Sequence, residues 1–136
     1  MRKLKRFMAI ILVAVITLTF AACGTFKYDK DAAVKKAESV ADVANTKDYQ
    51  AVYDLLPKSM QAGTSADKLK SDWDPMLAPA GAFKEYKSCD TASMTQNGVK
   101  YIVTIVTCKF ENSTLIYTIS FTTDMEIAGL FLKPGA

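Results

Sequence analysis

Cys89 and Cys108 are the first pair in this 136-residue chain whose types and spacing could do chemistry. They flank Asn97-Gly98, the strongest short hairpin signal in the sequence. In a hairpin centred there, paired positions sum to about 195, and these two sum to 197. They fall nearly opposite on neighbouring strands, one bulge or register step from alignment. That placement predicts a disulfide closing a loop of about 20 residues, worth about 3 kcal/mol in the chain-entropy model. Two separate buried thiols are the alternative. The chain has no histidine, and two sulfurs alone make no zinc site, so neither a metal nor a cofactor is expected. Glu85, Asp90, Glu111, Asp124 and Glu126 gather in the second half, and a carboxylate pair could do acid–base work. Glu111 and Asp124 fall in expected turns, where polar residues belong anyway, so a solvated role is favoured and no catalytic residue is assigned. Trp73, Tyr86, Tyr101 and Tyr117 could line a pocket and stack on a ligand; core and rim packing is the alternative.

Charge narrows the function classes. Arg2, Lys3, Lys5 and Arg6 open the chain without an acid, and they account for four of its 17 basic residues. Beyond residue 22 the balance is 13 bases against 14 acids, so the overall pI near 8.7 belongs to the leader. Every base after Arg6 is lysine. Nucleic-acid binding normally shows a basic surplus and arginine forks, and is not expected here. Histidine-based triads are excluded outright.

Residues 7–20 form an uncharged apolar run of 14 residues. As a helix it spans about 21 Å, short of the roughly 30 Å hydrocarbon core, and fits a signal-peptide core better than an anchor. Phe20-Ala21-Ala22-Cys23-Gly24 follows it. This resembles the bacterial lipobox, with Phe20 where leucine is more usual. The resemblance implies that residues 1–22 are removed and that the Cys23 thiol carries a diacylglyceryl group. Two acyl chains, at about 0.8 kcal/mol per buried methylene, hold a protein firmly. The expected location is the cell membrane, lipid-anchored and facing outside the cytoplasm, with residues 23–30 as a lipidated tether. In such a compartment the Cys89/Cys108 pair should oxidise.

The elements that must position these groups change period at mid-chain. Ala33, Ala37, Val40, Ala41 and Ala44 recur at helical spacing, with Asp29 or Asp31 as N-cap. Thr46 is placed to cap a second helix bearing Tyr49, Val52, Tyr53 and Leu56, which Pro57 ends. After Gly63, Thr64 or Ser65 caps a third helix with Ala66, Leu69, Trp73 and Met76 on one side, closed by Pro75, Pro79 and Gly81. Strands are expected over 82–91, 99–110, 115–122 and 125–132, the third alternating Leu115, Tyr117, Ile119 and Phe121 with polar residues. Three helices followed by a four-stranded antiparallel meander make an α+β domain over residues 31–136, helices on one face.

This order resembles the nuclear transport factor 2-like (cystatin-like) cone, and within it a family of uncharacterised lipoprotein domains from Gram-positive bacteria. The likeness covers roughly residues 31–133. It is carried by Lys47-Asp48-Tyr49, Trp73, Gly81-Ala82-Phe83, Phe110-Glu111-Asn112 and Ile127-Ala128-Gly129-Leu130-Phe131. It implies a cone-like, extracytoplasmic domain with no assigned reaction. The expected function is a non-catalytic binding or interaction domain. Its partners are the membrane, through the anchor at Cys23, and an envelope protein or small ligand, with a dimer allowed. The rival reading is a small enzyme with a Tyr/Asp site in the cone, Asp90 its least poor base.

Overall fold

The computed structural model describes residues 26–135. The expected signal peptide, Cys23 and the first residues of the expected tether lie outside them.

Asp29 Oδ1 accepts the Ala32 N–H at 3.0 Å and opens α1 (Lys30–Asn45). Its stripe of Ala33, Ala37, Val40, Ala41 and Ala44 is buried. Small side chains let this helix lie close on the sheet, so close approach does the work of side-chain bulk. Helix α2 (Tyr49–Leu55) is capped by Asp48, whose Oδ1 accepts the Ala51 N–H at 3.1 Å. Thr46 had been expected in that role. It terminates α1 instead, its hydroxyl donating to the Val43 carbonyl at 2.6 Å. A single turn, α3 (Lys58–Gln61), follows Pro57.

Helix α4 (Ala66–Ala80) starts on Ser65, whose Oγ accepts the Lys68 N–H at 3.1 Å. Pro75 and Pro79, expected to end it, lie inside it. Both rings sit on the exposed side, while Leu69, Trp73, Leu77 and Ala80 face inward. There water can serve the carbonyls that lose their helical partner. Gly81, at φ 84°, ends the helix instead.

The sheet is an open antiparallel meander, ordered β1 (Phe83–Gln96), β2 (Val99–Phe110), β3 (Thr114–Thr122), β4 (Ile127–Pro134). Asn97 and Gly98 join β1 to β2 at φ 52° and 78°, the pair of positive values that a tight hairpin turn needs. Strand β1 extends five residues past the expected Thr91. Strand β4 starts at Ile127 because Met125, at φ 65°, belongs to the turn.

In β1 the register shifts between Phe83 and Glu85 and again between Tyr86 and Ser88, making Lys84 and Lys87 the extra residues. Each bulge moves the inward position by one, so Phe83, Tyr86 and Cys89 all pack against the core at a spacing of three. The turn after β2 clasps the end of α4. Asn112 N–H donates to Ala80 O at 2.9 Å and its Nδ2 to Pro79 O at 3.1 Å, while Glu111 Oε1 accepts the Ala82 N–H at 2.7 Å. A side chain at Gly81 would meet Glu111 Cβ at 3.0 Å, so the clasp also demands glycine there.

Helices cover one face of the sheet. Ile102, Val106, Cys108 and Phe110 of β2 and Leu115, Tyr117, Ile119 and Phe121 of β3 are buried beneath them. The intervening residues, among them Tyr101, Val103 and Ser120, face the other way.

Candidate functional site

The four aromatic residues proposed for one pocket are not brought together. Tyr117 is fully buried, meets the edge of Trp73 at 5.9 Å between ring centroids, and donates to Asn45 Oδ1 at 2.8 Å. Tyr86 donates to the Asp42 carboxylate, with the Glu38 carbonyl oxygen 2.9 Å away. Tyr101 lies across the sheet, on the face without helices. Thus Tyr117 ties β3 to α1, Tyr86 ties β1 to α1, and Tyr49, donating to Asp74 Oδ1 at 2.9 Å, ties α2 to α4. Burial first, and the acceptor carboxylate second, raises the pKa of Tyr49 and Tyr86; burial raises that of Tyr117. These hydroxyls hold their protons and act as latches between elements. Asp90 is exposed on β1, and Glu111 is spent on the clasp.

Cys89 and Cys108 are separate thiols, and the expected disulfide is not formed here. Cys89 stands opposite Val106, and Cys108 stands opposite Tyr86. Aligning the two sulfurs needed extra residues in β2, but the bulges fall in β1 and carry the register the other way. Burial, then Glu38 and Asp90, pushes the Cys89 thiol up to about 11. Burial dominates at Cys108 as well, reaching about 12 although Asn45 pulls it down. Both stay protonated at neutral pH and are poor nucleophiles and metal ligands. Among the described residues, no three Cys, Asp or Glu side chains are gathered around a point where a cation could sit.

The concave surfaces lie elsewhere, around β4. A hollow of about 210 Å³ on the helix-free face is lined by Met94, Val99, Tyr101, Ser120, Gly129 and Phe131. A groove of about 500 Å³ on the other side runs between α3, α4 and β4, lined by Met60, Leu69, Trp73, Met76, Leu130 and Leu132. Phe131, 40% exposed, lines both. Strand β4 pairs only with β3, so no described strand covers its outer edge. Hollow, edge and groove therefore form one apolar band that wraps from one side of the sheet to the other. Phe131 was not singled out in the sequence as a site residue. The signal lay in Leu130-Phe131-Leu132: a strand must turn one of three consecutive apolar residues away from the core.

A further hollow, of about 600 Å³, lies where the chain enters the domain. Residues 26–29 run along β1 as a strap. Phe26 N–H donates to Ser93 Oγ at 3.3 Å, and Thr91 Oγ1 lies 3.2 Å from the Tyr28 hydroxyl. The Lys100 ammonium lies 5.6 Å from the centre of the Phe26 ring, within cation–π range.

Among the described residues no helix is long and apolar enough to cross a membrane. Nothing matches among curated proteins. The fold is similar to the NMR structure of a protein from Ruminococcus gnavus ATCC 29149, with a TM-score of 0.69 and 22% identity over 80% of this chain and 96% of that one. Residues 37–130, more than half of the chain, match a family described as proteins of unknown function. The chain therefore belongs to that family, DUF3887.

Proposed function

We propose that this protein is an extracytoplasmic lipoprotein of the nuclear transport factor 2-like type, anchored through Cys23, that acts as a non-catalytic binding or interaction domain. The observation that carries the binding role is the apolar band around β4. Single exposed apolar side chains are ordinary, but contiguous ones over concave surface mark contact sites. Phe131 and Val99, 40% and 48% exposed, stand at that band beside the partly buried Tyr101 and Leu130. Non-catalytic action is supported by the state of the reactive groups. The buried tyrosines and both thiols are held in their protonated forms, as latches and fillers. The anchor is supported by the run of small residues before Cys23.

Native mass spectrometry of the mature chain, purified from its own envelope, tests the binding role. Wild-type chain should carry a ligand or partner that leaves on denaturation, and Phe131→Asp should carry none. A bare wild-type chain would defeat the proposal. For the anchor, Cys23→Ser should release the domain or stall its precursor; unchanged membrane retention would refute lipidation at that site.

A further inference from the structure

We infer that one particular end of the sheet, the end bearing the Asn97-Gly98 hairpin, rests on the lipid headgroup layer, with Val99 as its apolar contact. The inference rests on the reading of Cys23 as the lipidated residue. What it adds is an orientation: which end of the domain meets the bilayer and which is held away from it.

The first step is the length of free chain. The tether was expected to extend to residue 30, but the strap fixes the backbone to the domain from Phe26 onward. Its hydrogen bond to Ser93, the Tyr28–Thr91 contact and the Lys100 cation–π contact all hold it to β1 and β2. Gly24 and Thr25 alone separate Cys23 from Phe26. Three steps of at most about 3.6 Å put the acylated residue within about 11 Å of Phe26.

The second step is where Phe26 sits. Its partner Ser93, four residues before Asn97 of the hairpin turn, pairs with Ile102. The β3–β4 turn lies at the same end, because Tyr101 pairs with Thr122 and Phe121 with Ile127. Met125 and Thr123 of that turn line the same hollow as Phe26 and Lys100. Helix α1 also begins here and runs away along β1, reaching Tyr86 through Asp42. The opposite end holds the clasp of Gly81, Glu111 and Asn112. The 12 residues of β2 separate the two ends by about 36 Å. An anchor within about 11 Å of one end therefore brings that end to the surface.

The third step is the chemistry of the surface that arrives there. Lys27, Lys30 and Lys100 are offset by Asp29, Asp31, Asp124 and Glu126, all exposed. This end has no basic excess with which to seek anionic headgroups. It carries Val99 instead, 48% exposed at the tip of the hairpin, next to the small polar turn Asn97-Gly98. The fitting partner is the interfacial layer of a bilayer of either charge, touched by an apolar tip and held by the anchor. Salt should leave the contact in place.

The test uses the full lipidated chain in phosphatidylcholine nanodiscs doped with a gadolinium-chelating headgroup lipid, read by amide NMR. Intact mass first reports the diacylglyceryl group on Cys23. Amides of residues 96–100 and 123–126 should then lose several-fold more intensity than those of residues 82 and 111–113, with the same pattern in high salt. Val99→Ser should keep the fold and lessen the broadening at the hairpin. An unmodified Cys23 overturns the anchor and this inference together. A modified Cys23 with equal broadening at both ends, or with more at the clasp, overturns the orientation alone. A pattern that collapses in salt overturns the apolar contact.

Discussion

The two faces of this sheet are built from the same strands by the same two-residue alternation, and they meet different fates. On one side Val106, Tyr117, Ile119 and Phe121 are sealed in the core beneath helices, and the buried alanine stripe of α1 packs over β1 and β2. On the other, Tyr101 is only partly covered, while Phe131 and Val99 stand well exposed. The strands turn mostly apolar residues towards the helices and set Thr118, Ser120 and Thr122 among the apolar residues of the other side. The apolar side also has a helix of small residues close enough to seal it. The sealed face accounts for folding. The open face leaves the apolar side chains of Val99 and Phe131 exposed, which is what supports the proposed contact surface.

The contrast can be broken most sharply at Tyr117. Tyr117→Ala should cost about 3–5 kcal/mol in urea unfolding, since it empties core volume and strips Asn45 of its partner. Alkali should act on the same face. Cys89 and Cys108 have folded pKa values of about 11 and 12, above their ordinary 9.0, so their contribution is complete below pH 9 and fades as pH climbs through those values. The raised tyrosines act in the same direction from about pH 10. The urea midpoint should hold steady to pH 8.5 or so and fall by pH 11, and Cys108→Ala should flatten part of that fall. A midpoint that rises with pH would refute the protonated thiols. Ala37→Leu should cost about 1–3 kcal/mol, because the helix has no room to spare against the sheet. On the open face, Val99→Ser should shift stability by less than about 0.5 kcal/mol. A loss there as large as at Ala37 would erase the distinction between the faces.

Much of this architecture was legible in the residues. Asn97-Gly98 announces its hairpin by the positive φ it needs, Asp29 and Ser65 begin helices as side-chain acceptors should, and Leu115 to Phe121 alternate cleanly. The misreadings have physical causes. Prolines 75 and 79 look like terminators until a whole helix turns them towards solvent together. Phe83, Tyr86 and Cys89 recur at three, which no regular strand produces, and only bulges at two lysines reconcile that spacing with a sheet. The disulfide expectation needed extra residues in β2, whereas the regular register sets Cys89 against Val106 and the Lys87 bulge sets Cys108 against Tyr86. The supposed pocket dispersed because parity reverses between paired strands. Val106 faces Tyr117, so the face of Tyr117 belongs to the even residues of β2 and excludes Tyr101. That reversal follows from the register of the second turn, which no single residue advertises.

The two lysine bulges also decide how this molecule behaves in a crowd. A flat strand at the rim of a sheet is a template on which another chain can add, and repeated addition from both rims builds a fibril. The β1 rim is kinked twice, each time with an exposed lysine at the kink, so it resists such addition. The β4 rim is guarded only at its far end, by Lys133 and Pro134. With one receptive rim, rim-to-rim pairing between copies consumes both receptive surfaces at once. Growth by that route would end at two copies.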